Sequence, residues 1–169
     1  MGLYESFYWQ MYQQVATKAV SKGCFTLMEA VGEKEEKNGT VPILIQEQKA
    51  DSLIIIGRMQ DEYLKVLNRK ANVPILYLDF CTEDRKTDAV ISDSYYGAYR
   101  LTNYLFDMGH RKIGYIGTIL STGSITDRYL GYMKSMMEHG ERIKDEWLLE
   151  DRDKETGVID ADLYMKLPE

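Results

Sequence analysis

Polar side chains follow four apolar stretches of this sequence, each at the point where a predicted strand ends. They are Arg58, Asp79, Asp93 with Ser94, and the loop of residues 118–128. Hydroxyl, carboxylate and guanidinium groups form directional hydrogen bonds to polar molecules, and a guanidinium fork can bind sugar hydroxyls or a carboxylate in a bidentate manner. Such a collection of side chains is typical of a binding site for a small polar ligand.

The motifs of the common α/β enzymes are missing from this sequence. No phosphate-cradling glycine loop follows an early strand, and there is no GxSxG turn and no cluster of metal ligands. Cys24 and Cys81 lie in apolar, strand-like contexts and are expected to be reduced core cysteines. We therefore expect a protein that is not an enzyme and needs no cofactor, although an enzyme on a similar sheet remains an alternative.

The spacing of apolar residues predicts alternating helices and strands. Helices are expected at residues 5–22, 43–48, 62–70, 95–106 and 129–139. Strands are expected at residues 24–28, 51–57, 75–79, 88–93, 113–117 and 147–149, with a loop at 32–39. Short connections favour a doubly wound parallel α/β sheet, in which ligands bind beyond the carboxyl ends of the strands.

The segment of residues 107–117 joins a helix to a strand in front of the polar loop. Gly109 is suited to the left-handed conformation that ends a helix, and the basic residues 110–112 can meet the last carbonyls. His110 is therefore expected to cap the helix rather than to act as a pH switch. The apolar residues 113–117 are typical of a strand covered on both faces, and this strand would direct residues 118–128 to the ligand.

Composition limits the possible partners. The chain has 169 residues, of which 44% are hydrophobic and 28% charged, as in ordinary soluble globular proteins. A net charge of −6 argues against a nucleic-acid surface within these residues. No apolar run approaches a membrane span, and the N-terminus lacks the features of a signal peptide, so we expect a cytoplasmic protein with no membrane partner.

Five segments together resemble the ligand-binding domain of the LacI–GalR family of bacterial transcription regulators. They are DSLIIIG at 51–57, VPILYLD at 73–79, VISD at 90–93 with Gly97-Ala98, GHRKIGYIG at 109–117 and RYLGY at 128–132. The resemblance extends from Glu5 to about Gly157. It implies a two-lobed, periplasmic-binding-protein-like fold that dimerises and binds a sugar or another small effector between its lobes. It also implies a repressor that reads its operator through a helix-turn-helix domain.

The chain departs from this family in three ways. No helix-turn-helix precedes Met1, so operator DNA would be bound only through a domain outside these residues. The family's first strand and most of its second lobe are also missing, and we expect residues 1–125 to form the N-terminal lobe and 126–169 to begin the second. Without the first strand, edges of the sheet would be left unpaired. We therefore expect self-association, for example through a strand donated by another copy.

The resemblance assigns site residues in two regions. Arg128 matches the family arginine that reaches the effector, with an ion pair to Asp127 as the alternative. Ser124 and Thr122 can offer hydroxyls to the same ligand or face solvent. Phe7 and Tyr8 stand where the family has paired aromatics against the effector, although core packing would explain them equally well.

Three further residues complete the predicted site. Asp79 and Asp93 end strands that face the cleft, and Asp79 could accept ligand hydroxyls or cap the next loop. Arg152 lies in a segment that returns to the cleft in relatives. The preferred interpretation is an effector-sensing domain, and the alternative is a periplasmic sugar-binding protein of an uptake system, which the free cysteines disfavour.

Overall fold

The computed structural model describes residues 3–83, 86–153 and 158–159, with only the helical backbone given for residues 3–6. The chain divides into two compact units, Met1–Ile91 and Ser92–Glu169. The predicted lobe boundary between residues 125 and 126 falls inside a helix, Gly123–Glu138, and it remains a prediction.

The first unit contains a three-stranded parallel sheet and four helices among its described residues. The helices are α1 (Leu3–Val20), α2 (Glu33–Lys37), α3 (Ile43–Gln46) and α4 (Asp61–Lys70). The strands are β1 (Leu53–Ile56), β2 (Ile75–Leu78) and β3 (Asp88–Val90), in the order β1-β2-β3. Leu53 lies opposite Ile75, and Leu76 lies opposite Asp88.

The core of the first unit forms where α4 packs on this sheet. Its buried residues are Ile55, Tyr63, Leu64, Leu67, Tyr77 and Phe80. Leu64 and Leu67 are separated by three residues, so both lie on the same face of the helix. The Tyr63 hydroxyl donates to the Thr40 carbonyl at 2.7 Å, which satisfies the polar end of a buried ring. The packing of α4 on the sheet thereby holds the carboxyl ends of the strands in place.

The described residues of the second unit form two long helices and a short two-stranded parallel ladder. Its elements are α5 (Ser94–Asp107), β4 (Tyr115–Ile116), α6 (Gly123–Glu138), a 3-10 turn (Asp145–Trp147) and β5 (Leu148–Leu149). Phe106, Ile113, Tyr132 and Met136 form its buried core. The Tyr132 hydroxyl donates to the Ile113 carbonyl at 2.8 Å, and burial raises the pKa of Tyr132 to about 12, so this group remains a donor at neutral pH.

The helix stop predicted at Gly109 is confirmed. Gly109 has a φ of +90°, and the His110 amide donates to the Leu105 carbonyl at 3.0 Å. Arg111, rather than the His110 side chain, bonds a late helix carbonyl: its Nη1 donates to the Phe106 oxygen at 3.1 Å. The helix therefore ends by a glycine turn supported by a basic side chain.

Several sequence-based expectations about local structure were wrong. Residues 24–28 form no strand because no described strand lies beside them to supply a ladder. Residues 33–37 form a helical turn rather than a loop, with a Lys37–Glu33 ion pair of 2.6 Å at helical spacing. Both cysteines are exposed, not buried.

Strand positions also differ from the expectation. The continuous apolar run of residues 51–57 predicts a central parallel strand, but β1 is an edge strand of the described sheet. The ladder at 113–117 shrinks to two residues, and 48% of Ile116 is exposed, so this strand is not covered on both faces. β4 pairs in parallel with β5, so the strand predicted at residues 147–149 is confirmed at Leu148–Leu149.

Candidate functional site

Two strand ends in the first unit bring unusual backbone conformations together with polar groups. Asp79, directly after β2, has a φ of +73°, a left-handed conformation that is uncommon for a residue with a Cβ. Its amide donates to the Val90 carbonyl at 2.8 Å, which fixes the residue at the end of the sheet. No side chain in the described ranges bonds its carboxylate, so that group is available to accept hydrogen bonds from a ligand.

The neighbouring strand end is covered by an aromatic ring. Gly57, with a φ of +85°, follows β1, and a Cβ at this position would lie 3.2 Å from the Tyr8 ring. Tyr8 therefore packs directly on the backbone at the end of β1. Phe7 packs edge-on against Tyr8 with ring centroids 5.2 Å apart, and 51% of Phe7 is exposed. Tyr8 therefore lies at the carboxyl end of β1, and the ring of Phe7 is partly exposed to solvent.

Arg58 ties the ends of β1 and β2 together. Its Nη1 donates to the Cys81 carbonyl at 2.8 Å, its Nη2 to Asp61 Oδ1 at 2.6 Å, and its guanidinium lies over the Phe80 ring at 5.9 Å. These contacts hold the guanidinium within its own unit. Arg58 therefore supports the loop geometry around Asp79.

In the second unit, the Thr118 hydroxyl is the centre of a buried polar network. Thr118 is fully buried directly after β4, and its hydroxyl accepts from the amides of Asp151 and Arg152, each at 3.1 Å. The same hydroxyl donates to the Arg152 carbonyl at 3.0 Å, and the Thr118 amide donates to Asp151 Oδ1 at 2.9 Å. One hydroxyl thereby joins the segments that leave β4 and β5.

Asp151 and Arg152 form a nearly buried ion pair in this network. Arg152 Nε donates to Asp151 Oδ1 at 3.0 Å and its Nη2 to Oδ2 at 2.6 Å, a bidentate arrangement with side-chain exposures of 11% and 17% for Arg152 and Asp151. The Arg152 hydrogen bonds, followed by those from Thr118, lower the pKa of Asp151 to about 2. This geometry gives Arg152 a structural role, and its predicted contact with an effector stays a prediction.

Residues 122–128 belong mainly to a helix rather than to the expected loop. The Thr122 hydroxyl accepts from the Ile125 amide at 3.2 Å and caps α6, and it lies 3.2 Å from the Ser124 hydroxyl. Ser124 is in the first turn of α6 and Arg128 in its second. The two hydroxyls predicted as ligand contacts are therefore adjacent at the start of this helix.

Arg128 is an exposed cation near the half-buried phenol of Tyr115. The alternative expectation, an ion pair with Asp127, is not observed, and Arg128 bonds no side chain within the described part of the chain. Burial raises the pKa of the Tyr115 hydroxyl, whereas the charges of Arg128 and Arg152 oppose this effect and Asp151 adds to it. Tyr115 donates to the Ile125 carbonyl at 2.6 Å, which holds its ring beside α6.

Asp93 has a helix-capping function in this structure. Its carboxylate accepts from the Tyr96 amide at 2.9 Å at the start of α5. Such a cap already uses one carboxylate oxygen, and the predicted role in ligand binding stays a prediction.

Asp151 and Tyr115 were not predicted as site residues, and Thr118 was predicted only as part of the polar segment of residues 118–128. The signal for Thr118 was its position directly after the Gly117 that closes a predicted strand. Among the described residues no group of His, Cys, Asp and Glu side chains could hold a metal ion, and no helix is long and apolar enough to cross a membrane.

These features define a member of a family of ligand-binding domains. The chain belongs to the family described as periplasmic binding proteins and sugar binding domain of LacI family, whose model matches residues 3–169. Its fold class and the resemblance found in the sequence are thereby confirmed.

The curated relatives of this chain include transcriptional repressors. The chain is 28% identical over 116 residues to the HTH-type transcriptional repressor PurR of Pasteurella multocida, covering 69% of this chain and 35% of that protein. It is 30% identical over 124 residues to the PurR repressor of Glaesserella parasuis, covering 73% and 36%. The chain spans only 32% to 47% of the length of the curated relatives that it matches.

Solved structures show the same fold. The transcription regulator CcpA of Lactococcus lactis superposes with a TM-score of 0.67 at 21% identity, covering 85% of this chain and 53% of that one. The transcriptional regulator CelR in its cellobiose complex gives a TM-score of 0.62 at 21% identity, covering 78% and 41%. Similarity at this level establishes the architecture alone.

Proposed function

We propose that this chain is the effector-sensing part of a LacI-type transcriptional repressor. It binds a small polar molecule, a sugar, and thereby controls DNA binding by a helix-turn-helix domain outside these residues. The working unit is a cytoplasmic homodimer. The relatives named as repressors favour this function over a periplasmic uptake protein or an enzyme.

The observation that carries the proposal is the state of Arg128. An exposed guanidinium with five donors stands on α6, and no described side chain pairs with it. By contrast, Arg58 and Arg152 are both bound within their own units. Arg128 is therefore free to make charge-assisted hydrogen bonds to ligand oxygens, with the adjacent Ser124 and Thr122 hydroxyls as further polar contacts.

The first unit supplies groups of matching chemistry. The strained backbone at Asp79 presents a carboxylate with no bonded side chain among the described residues, a suitable acceptor for sugar hydroxyls. The exposed ring of Phe7 and the packed ring of Tyr8 suit the apolar face of a sugar. A hydrogen-bond acceptor and aromatic faces are groups that proteins use to bind sugars.

Ligand screening followed by substitution of Arg128 tests this function. Cellobiose, glucose, ribose, guanine and hypoxanthine are added separately to the purified chain, and thermal shift and calorimetry report binding. We expect one of the three sugars to bind. Because a hydrogen bond to a charged group contributes about 1.5–3 kcal/mol, Arg128→Ala should weaken that affinity at least about tenfold.

Arg142→Ala is the matched control, since Arg142 is also an exposed arginine of the second unit. Its affinity for the same sugar should stay within about twofold of the original. Binding of a purine base alone would replace the sugar assignment. Equal affinities for the original chain and the Arg128→Ala variant would remove Arg128 from the site.

A further inference from the structure

We propose that Leu120 is a specificity-determining residue of the effector site. Its side chain selects a deoxy sugar, in which a methyl group replaces a hydroxymethyl group. Because it names the class of sugar that the same site binds, this role rests on the proposed function. Three features of residues 118–128 carry it: a strained backbone, an apolar side chain in water, and polar groups on the adjoining helix.

The backbone of Leu120 has a conformation that leucine rarely adopts. Leu120 has a φ of +70°, in the left-handed region, where the Cβ of an ordinary residue crowds the following carbonyl oxygen. Glycine and asparagine tolerate this region better, so a leucine here lowers the stability of the fold. A strained residue that its surroundings hold in place indicates a functional requirement.

Hydrogen bonds on both sides of Leu120 fix this conformation. The Leu120 amide donates to the Thr126 hydroxyl at 3.1 Å, and that hydroxyl donates to the Thr122 carbonyl at 3.0 Å. On the other side, the amide and the hydroxyl of Ser121 donate to the Thr118 carbonyl at 3.2 and 2.7 Å. Thr118 is itself fully buried. A change in the backbone of Leu120 would therefore disturb the bonds that hold this segment to α6.

The Leu120 side chain contributes little to the packing of the fold. Its exposed fraction is 84%, whereas the core residues of the second unit are at most 6% exposed. An aliphatic side chain that stays in water gains almost none of the free energy that burial provides. Packing among the described residues thus gives no reason for a strained leucine at this position. Contact between the side chain and an apolar part of a ligand does give one.

Leu120 lies beside the polar groups proposed to bind the effector. The Thr126 hydroxyl, which accepts from the Leu120 amide, belongs to the first turn of α6, as does Ser124. The Thr122 hydroxyl caps the same helix, and Arg128 follows in the next turn. This part of the second unit therefore combines two hydroxyls and a guanidinium with one aliphatic side chain. A ligand bound to the polar groups has Leu120 as its apolar neighbour.

An aliphatic contact distinguishes sugars by the group that each presents to it. A methyl group packs on leucine and is favourably removed from water. A hydroxymethyl group in the same place brings a hydroxyl against leucine, where it loses hydrogen bonds to water without gaining a partner. Because an apolar contact discriminates only modestly against an added hydroxyl, we expect a preference of about tenfold for the deoxy sugar.

Paired sugars and one substitution test this selection. Glucose is compared with 6-deoxyglucose, and ribose with 5-deoxyribose, by calorimetry on the purified chain and on its Leu120→Asn variant. Asparagine is polar, is close to leucine in size and tolerates the left-handed region. In at least one pair the original chain should bind the deoxy sugar about tenfold tighter. The Leu120→Asn variant should bind both members of that pair within about twofold of each other.

Thermal unfolding without ligand separates this role from a structural one. Because asparagine relieves the strain, Leu120→Asn should unfold at the original temperature or up to about 4 °C higher. Gln48→Asn is the matched control, since Gln48 is an exposed residue of the first unit with a φ of +51°. It should affect unfolding similarly and leave the sugar preference unaltered. A clearly lower unfolding temperature for Leu120→Asn would show that the leucine packs within the fold, and would overturn the proposal.

A failure of this role can be told apart from a failure of the proposed function. If a sugar binds through Arg128 but neither pair shows a preference for the deoxy sugar, the role of Leu120 alone is overturned. A preference that persists in Leu120→Asn has the same consequence. If no sugar binds, cellobiose included, the proposed function fails and the role of Leu120 fails with it.

Discussion

Gly131 of α6 lies directly against the carbonyl oxygen of Tyr95 in α5. A Cβ added at Gly131 would overlap that oxygen and would stand 2.9 Å from the Tyr99 amide nitrogen. Only glycine permits this separation, because both neighbouring atoms belong to a helix backbone and cannot rotate away. The close crossing of α5 and α6 therefore requires a residue without a side chain at position 131.

Gly131→Ala should destabilise the protein. The helices must move apart to admit a methyl group, which disturbs the core around Tyr132 and Met136. Overpacking of this kind costs about 1–3 kcal/mol, and the backbone contacts place the expected loss of unfolding free energy at the upper end of that range. Urea denaturation measured by circular dichroism gives this quantity.

The control for this substitution is Gly97→Ala in α5. No atom lies within 4 Å of a Cβ built at Gly97, and alanine favours a helix over glycine by up to about 1 kcal/mol. Gly97→Ala should therefore leave the stability unchanged or raise it. A Gly131→Ala variant as stable as this control would contradict the close crossing.

Asp151 should make the protein sensitive to acid. Its pKa in the folded state is about 2, below the ordinary value of 3.8, because it accepts hydrogen bonds from Arg152 and Thr118. A lowered pKa stabilises the fold above the unfolded value, and this contribution is lost as the pH falls from about 4 to about 2. Asp151→Asn should lower the unfolding free energy by about 2 kcal/mol at pH 7 and by much less at pH 2.

Denaturation at several pH values measures the difference between the original chain and Asp151→Asn. The exposed Asp107 provides a control, because Asp107→Asn removes a carboxylate from the end of a helix without breaking a buried pair. Its stability should change little and in the same way at each pH. A constant difference between Asp151→Asn and the original chain from pH 7 to pH 2 would show that the ionised carboxylate is not what stabilises the network.

The Thr118 hydroxyl should be as important as the ion pair beside it. Thr118→Val retains the shape of the side chain but leaves the amides of Asp151 and Arg152 without their buried acceptor. Each buried donor left unsatisfied costs about 1–3 kcal/mol, so a loss of at least 2 kcal/mol is expected in thermal or urea unfolding. Thr118→Ser retains the hydroxyl and should lose less. Equal losses for the two variants would show that the hydroxyl contributes no more to stability than the methyl group does.

Local sequence patterns predicted the helices of this fold better than its long-range polar contacts. Helical spacing predicted α4 and α5 to within a few residues, because one face of each is buried by nearby contacts. The network at Thr118 could not be predicted in this way, since its partners lie 33 and 34 residues farther along the chain. The apolar residues 24–28 have strand propensity, but a strand also requires a neighbour.

For the predicted site, too, the sequence indicated which residues to consider but not the conformations that they adopt. Arg128 was singled out by the family pattern, yet its position in a helix depends on the cap formed by Thr122. A polar run containing glycine and serine had indicated a loop at that position. The strained conformation of Asp79 has no local signal, because it arises where the end of β2 bonds to β3.

The contact between Tyr8 and Gly57 yields the last prediction. Gly57→Ala adds a methyl group 3.2 Å from the Tyr8 ring at a φ of +85°, so both backbone strain and crowding oppose it. Gly39→Ala introduces only the first effect, since Gly39 has a φ of +65° and open space around its Cβ. Left-handed backbone costs a non-glycine residue about 1–2 kcal/mol, and Gly57→Ala should exceed the loss for Gly39→Ala. Adding Tyr8→Ala to Gly57→Ala should remove that excess in a double-mutant cycle measured by urea unfolding. Additive losses for Tyr8→Ala and Gly57→Ala would show that the ring does not rest on this strand end.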